Sequence, residues 1–128
     1  MTAPSRPPPH LPRPAPIEVY GRGGFRFADM SHRGSILCLP SGIWPSDVRA
    51  AGGVDLAAVS LALAQDAAID HFLVGTGEAM VPLPVALGDA FRARRIALEA
   101  MSTGAAVRTY NILLGERRRI GALLIAVN

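Results

Sequence analysis

The sequence contains no lysine, so all 13 of its basic residues are arginines. A Walker A phosphate-binding loop needs a lysine, and so does Schiff-base or pyridoxal chemistry, which excludes both classes of enzyme. The sequence also has only one cysteine, Cys38. No intramolecular disulfide can form, and a reducing compartment is predicted.

Long apolar segments are missing as well. No run of about 18 apolar residues could span a bilayer, and the N-terminus shows no apolar core of a secretory signal. The abundance of arginine and alanine is typical of a GC-rich bacterial genome. We therefore predict a bacterial cytoplasmic protein, with peripheral association with the inner membrane as the alternative.

Recognisable catalytic or metal-binding patterns are absent too. The histidines and Cys38 lack metal-ligand spacing, no Gly-x-Ser-x-Gly elbow occurs, and the acidic residues are scattered. We therefore predict no catalytic residues, no metal and no cofactor. An enzyme is the less favoured class. Cys38, in an apolar run, is predicted to be an inert core thiol.

The chain has 128 residues, of which 50% are hydrophobic and only 5% aromatic. This length and composition predict a single globular domain with an aliphatic core. The formal net charge is +3. Without Arg6 and Arg13 the remainder has 11 arginines against 10 acidic residues, or +1. Such a nearly neutral body argues against nucleic-acid binding.

Residues 1–16 hold seven prolines. Because proline restricts φ and removes a backbone donor, this segment is predicted to be a disordered, extended tail. Arg6, Pro9 and Pro12 also match a ligand pattern for aromatic grooves. The domain itself is predicted to span residues 17–128.

Strand-like and helix-like patterns alternate through this domain. Predicted strands are 17–20, 25–27, 35–39, 69–74, 97–101 and 120–127; predicted helices are 55–66, 84–95 and 103–114; residues 40–53 are predicted to be loop. The order predicts a layered α/β domain with a mostly parallel sheet. The first two strands, joined by glycines, predict a hairpin.

Two short motifs follow predicted strands and form the candidate site. Gly75-Thr76-Gly77 ends one strand, and Ser102 or Thr103 begins a helix. Loops at the carboxyl ends of strands are where α/β proteins usually bind ligands, and free N–H groups at a helix start attract anions. A dinucleotide fingerprint fails, because Met80 occupies its third glycine position. A strand end and an ordinary N-cap remain the alternative.

Further candidates near the end of the chain are Tyr110, Asn111 and Arg119. Asn111 lies inside a predicted helix, beside the inward-facing Tyr110. Since asparagine is disfavoured there, it predicts a specific hydrogen bond, structural or functional. The run Arg117–Arg119 either complements the negative end of the helix dipole or contacts an acidic partner or lipid headgroup.

Segment 103–127 reads Thr-Gly-Ala-Ala-Val-Arg-Thr-Tyr-Asn-Ile-Leu-Leu-Gly-Glu-Arg-Arg-Arg-Ile-Gly-Ala-Leu-Leu-Ile-Ala-Val. With the Gly-Thr-Gly end of Phe72–Gly77, and with Gly34–Leu37 followed by Trp44, it resembles the Mth938-like domain family. That family includes mitochondrial complex I assembly factor 3 and an adipogenesis-associated human protein. The resemblance covers about residues 17–127, with Val107 where relatives often have cysteine.

The resemblance implies a three-layer fold with a central mixed sheet of about five strands, helices on both faces and a small additional β element. It supplies no established catalytic residue. It marks shared positions: Gly75, Thr76, Gly77, Thr103, Ala106, Tyr110, Asn111 and Arg119.

Two hypotheses of function follow. One is a non-enzymatic protein-interaction domain that resembles assembly factors and binds protein partners such as early respiratory-complex subunits. The other is a small-ligand or anion binder, either a simple binding protein or an enzyme, that uses Gly75–Gly77 and Ser102–Gly104. A homo-oligomer is compatible with either.

Overall fold

A computed structural model describes residues 8–128. The strands are β1 (Val19–Gly21), β2 (Gly24–Phe27), β3 (Met30–Arg33), β4 (Ser35–Leu39), β5 (Gly42–Ser46), β6 (His71–Gly75), β7 (Ala97–Met101) and β8 (Ile120–Leu124). The helices are α1 (Ser60–Ala64), α2 (Val85–Ala93) and α3 (Thr103–Gly115). Two 3-10 turns occupy Ala51–Gly53 and Asp66–Ala68.

The central sheet has five strands in the order β5-β4-β8-β6-β7. β6 pairs in parallel with both β8 and β7, whereas β4 is antiparallel to both β5 and β8. Four strands therefore point the same way and β4 alone is reversed. The predicted α/β fold with a mixed, mostly parallel sheet is confirmed.

Helices cover both faces of this sheet and form two apolar layers. On one face, Phe72 of β6 stacks on Phe91 of α2 with ring centroids 5.0 Å apart, and Val59 and Leu63 belong to the same layer. On the other face, Tyr110 of α3 packs in the second layer. β4 and β8 are buried at all five positions, which their continuous apolar sequences predict.

The predicted hairpin is present as β1 and β2, and a third antiparallel strand, β3, extends it into a three-stranded sheet in the order β1-β2-β3. The strand β3 (Met-Ser-His-Arg) was missed because its sequence lacks alternating apolar residues. Ala28 and Asp29, with φ of 48° and 61°, turn the chain between β2 and β3. Positive φ at both central positions is typical of the tight hairpin turn.

Two predictions between residues 40 and 66 are wrong. The predicted loop 40–53 contains the edge strand β5, whose Trp44 is only 9% exposed. An edge strand tolerates Pro45, which the sequence pattern counted against a strand. The predicted helix 55–66 is only the short α1, and Leu56 is 48% exposed. Asp55 instead accepts a hydrogen bond from the N–H of Ala58 at 2.9 Å.

The prediction of a disordered tail does not hold for residues 8–16; residues 1–7 lie outside the described part of the chain. Leu11 pairs with Ile43 of β5: each N–H donates to the other's carbonyl, at 3.2 and 2.8 Å. Leu11 and Ala15 are buried in the core. Gly42 permits this approach, because a Cβ there would lie 2.5 Å from the carbonyl oxygen of Leu11. Backbone pairing and apolar burial thus outweigh the prolines.

Within residues 8–128, no helix combines the length and the apolar character that crossing a bilayer would require.

Candidate functional site

The candidate site lies where β6, β7 and β8 end at one edge of the central sheet. Gly75 is the last residue of β6, and a Cβ there would lie 2.9 Å from the Cα of Thr103. Only glycine therefore lets the start of α3 pack against this strand. Gly77 has a φ of +117°, which also favours glycine. The two motifs come together, as the sequence suggested.

Thr103 joins the three strand ends. Its N–H donates to the carbonyl of Gly77 at 2.7 Å. Its hydroxyl donates to the carbonyl of Ile125 at 2.7 Å and accepts from the N–H of Gly77 at 3.0 Å. The residue is completely buried. The groups that the sequence marked for a ligand are therefore occupied by the chain's own backbone.

Thr76 organises the loop that follows. Its hydroxyl is directed at the carbonyls of Ala79 and Met101, at 2.7 and 3.2 Å, and it accepts from the N–H of Val81 at 2.9 Å. Thr76 is only 5% exposed. One buried side chain therefore sets the path of residues 77–81.

The first turn of α3 is partly covered by the small sheet. Ser102 caps the helix by accepting from the N–H of Ala105 at 3.3 Å, as predicted. A Cβ on Gly104 would lie 2.5 Å from the hydroxyl oxygen of Tyr20 in β1. The side chain of Tyr20 therefore packs against the first turn of α3.

Asn111 of α3 lies outside the candidate site at the strand ends, and its side chain bonds to backbone groups. Its Nδ2 donates to the carbonyl of Ile17 at 2.9 Å, and its Oδ1 accepts from the N–H of Ile17 at 2.8 Å. The predicted specific hydrogen bond exists, and it ties α3 to the segment before β1.

Tyr110 is fully buried, and its hydroxyl has no hydrogen-bond partner among the described residues. It lies beside the thiol of Cys38, which is also fully buried. Burial raises the pKa of the Cys38 thiol and of the Tyr110 hydroxyl well above their ordinary values. Neither group is a reactive nucleophile in this environment.

Arg119 forms a two-point contact with Asp70. Its Nη2 and Nε donate to the two carboxylate oxygens at 2.8 and 3.1 Å. The hydrogen bonds from Arg119 hold the pKa of Asp70 below its ordinary value. Both groups are at the surface, so Arg119 links two loops and is not a free cation.

Beside the candidate site lies an exposed apolar segment that the sequence pattern did not predict. Residues 79–86 (Ala-Met-Val-Pro-Leu-Pro-Val-Ala) include Met80, Val81 and Val85, which are 56%, 41% and 80% exposed. The available signal was the absence of any charged residue between Glu78 and Asp89. The two prolines masked it, because they indicated only a loop.

An open groove of about 660 Å³ runs along the same edge of the sheet. Arg49, Thr76, Glu78 and Val81 are among its lining residues. Within residues 8–128, no group of three or more histidine, cysteine, aspartate or glutamate side chains is placed to hold a metal ion. The groove therefore offers one basic and one acidic side chain, Arg49 and Glu78.

Comparison with known proteins matches residues 17–125 to the family described as "Protein of unknown function (DUF498/DUF598)". An uncharacterised protein of Rhodobacter capsulatus is 39% identical over 110 residues, which cover 86% of this chain and 83% of that protein.

Solved structures share the fold. One from Bartonella henselae, described as an outer membrane protein, has a TM-score of 0.90 and 49% identity and covers 93% of this chain and 100% of its own. One from Rhodopseudomonas palustris has a TM-score of 0.81 and 45% identity, and the match covers 98% of this chain and 93% of that protein. A Bordetella pertussis protein described as a Mth938-like domain shares the fold at a TM-score of 0.72 and 24% identity. This match covers 98% of this chain and 92% of that protein. The Mth938-like fold that the resemblance implied is confirmed, and the chain belongs to the DUF498/DUF598 family.

Proposed function

We propose that this protein is a non-enzymatic interaction domain that binds another protein through the exposed apolar segment 79–86. The observation that carries the proposal is the exposure of Met80, Val81 and Val85 within one uncharged run. A contiguous apolar surface is typical of protein–protein contact sites.

The segment is held at both ends, which favours binding. At its start, the Thr76 hydroxyl accepts from the N–H of Val81. At its end, Leu87 and Phe91 of α2 are buried in the core. Pro82 and Pro84 restrict the chain between them. Little conformational entropy remains to be lost when a partner covers the exposed side chains.

The resemblance to complex I assembly factor 3 points to the class of partner. We propose that the partners are early subunits of respiratory complex I, bound at the cytoplasmic face of the bacterial inner membrane. Such subunits expose apolar surface before their neighbours join them, and an apolar segment can cover it. The support for this partner class is the family resemblance, since the fold alone does not determine function.

Affinity purification from the detergent-solubilised membranes of a bacterium that produces the protein tests the proposal. The variant Met80→Ser/Val85→Ser removes the apolar segment, and Leu56→Ser/Ile112→Ser is the matched control, because Leu56 and Ile112 are exposed elsewhere. We expect the wild type and the control, but not the segment variant, to retain early complex I subunits. A wild type that retains none would contradict the partner, and equal loss in both variants would contradict the segment.

A ligand site at Gly75–Gly77 and Ser102–Gly104 is the second candidate, and the open groove beside these residues supports it. The hydrogen bonds that occupy Thr103 favour the first proposal. A thermal shift by an anionic metabolite that disappears on Arg49→Gln would instead support the second.

A further inference from the structure

The outer face of the small sheet forms a hollow surrounded by arginines, separate from the candidate site and from segment 79–86. Alternation along the strands places Arg26 and Arg33 on this face, and Arg22 lies in the turn between β1 and β2. The volume enclosed is about 430 Å³. We call this feature the arginine hollow, and its lining residues include Val19, Gly21, Arg22, Gly24, Arg26, Ser31 and Arg33.

Two glycines create the depression. Gly21 and Gly24 pair across β1 and β2, so no side chain fills the centre. A Cβ on Gly24 would also clash with the backbone carbonyl of His32 in β3. The arginine side chains therefore surround a floor that is largely backbone, which a ligand can approach closely.

The charge in the hollow is not balanced. Arg26 is 3.5 Å from a carboxylate oxygen of Glu18. Arg22 and Arg33 contact no carboxylate within residues 8–128. The formal charges of the three guanidinium groups and the Glu18 carboxylate sum to about +2.

The register brings like charges together. Arg33 lies opposite Gly24, and Arg26 lies opposite Ser31, so the two arginines are diagonal neighbours on one face. Such neighbours are within reach of each other and repel, which costs stability in the free protein. A bound anion would relieve this repulsion.

We propose that the arginine hollow binds a phosphate group, carried either by a small metabolite or by a lipid headgroup. Planar guanidinium groups donate two parallel hydrogen bonds to phosphate oxygens. Three of them around a glycine floor match a group with several equivalent oxygens. The hydroxyl of Ser31, 3.3 Å from an Arg26 nitrogen, adds a further donor at the edge of the hollow.

Two probes distinguish the sources of the phosphate. Pyrophosphate is titrated into ¹⁵N-labelled protein and followed by NMR, and vesicles with and without phosphatidylglycerol are used in flotation. We expect saturable shifts within residues 19–33 if the ligand is a free phosphate compound. If it is a headgroup, we expect flotation only with the anionic vesicles.

Matched variants separate a specific site from general attraction. Arg22→Gln/Arg33→Gln removes two charges from the hollow, whereas Arg92→Gln/Arg94→Gln removes two exposed charges that lie outside it. Removing two charge-assisted contacts should weaken binding of the active probe about tenfold or more, and the control should bind within about twofold of the wild type. The same spectra report whether each variant is folded. Absence of binding to both probes, or equal weakening by the two variants, would overturn the proposal.

Discussion

Asn111 binds the backbone of Ile17 with both ends of its carboxamide, at 2.8 and 2.9 Å. The amide thereby acts as the partner that a neighbouring strand would otherwise provide, and it joins α3 to the chain that enters the small sheet. An asparagine inside a helix is explained here without a ligand.

The variant Asn111→Ala should lower the free energy of unfolding by about 2 kcal/mol, because two hydrogen bonds are lost and the backbone of the buried Ile17 is left without its partners. Urea denaturation measures this loss. Ile112→Ala is the control, since Ile112 is 60% exposed and should change stability little. Unchanged stability together with lost partner capture would mean that Asn111 contacts the partner directly.

The pair Thr103→Val and Thr103→Ser tests the junction of the strand ends. Valine retains the shape but removes the hydroxyl, so the N–H of Gly77 and the carbonyl of Ile125 lose a partner and stability should fall by about 2 kcal/mol. Serine retains the hydroxyl and should cost only about 1 kcal/mol for the lost methyl group. If serine proves as damaging as valine, the hydroxyl is not what stabilises this edge.

Two glycine-to-alanine variants should have opposite effects. At Gly75 a Cβ would lie 2.9 Å from the Cα of Thr103, so Gly75→Ala should destabilise by about 1–3 kcal/mol. At Gly88, inside α2, a Cβ would meet nothing within 4 Å, so Gly88→Ala should stabilise by about 0.5–1 kcal/mol. Thermal and urea unfolding give both values. Similar effects of the two variants would contradict the close contact at Gly75.

His32 should make stability depend on pH. Burial, and then repulsion from His10, whose ring lies 5.1 Å away, lower the pKa of His32 below its ordinary 6.5, and a hydrogen bond with the backbone of Ser35 opposes the shift. The unfolded chain therefore takes up the proton first. Stability should fall as the pH drops through about 6.5 and continue to fall until the folded-state pKa is passed.

Urea denaturation at several pH values between about 7.5 and 5 checks this dependence. The wild type should lose more stability over that range than His32→Gln does. In NMR titration, His10→Ala should raise the pKa of His32 toward its ordinary value. Parallel stability curves for wild type and His32→Gln would show that His32 does not contribute.

Four of the five strands of the central sheet, β4, β6, β7 and β8, could be predicted from the sequence, because each is rich in apolar residues. The helix α3 was predictable from its Ser102 cap and its apolar face. β3 and β5 were not, because edge and surface strands lack such runs and one contains Pro45. The prediction of a disordered tail was wrong for residues 8–16. Proline content indicates only how the local backbone is restricted, whereas the pairing of Leu11 with Ile43 joins distant segments.

For the candidate site, the sequence correctly placed Gly75–Gly77 and Ser102–Gly104 side by side, since parallel strands end at a common edge. The sequence could not reveal that the Thr103 hydroxyl is hydrogen-bonded to the backbone of Gly77 and Ile125, because these contacts join residues far apart in the chain.

The sequence by itself determined the class of fold, the family and the absence of lysine chemistry, because these depend on residue types and their spacing. Only the tertiary structure decided which polar groups stay available to a ligand. Hydrogen-bond partners and exposure are set by packing between distant segments, which buried Thr103 and left the apolar segment 79–86 and the arginine hollow exposed.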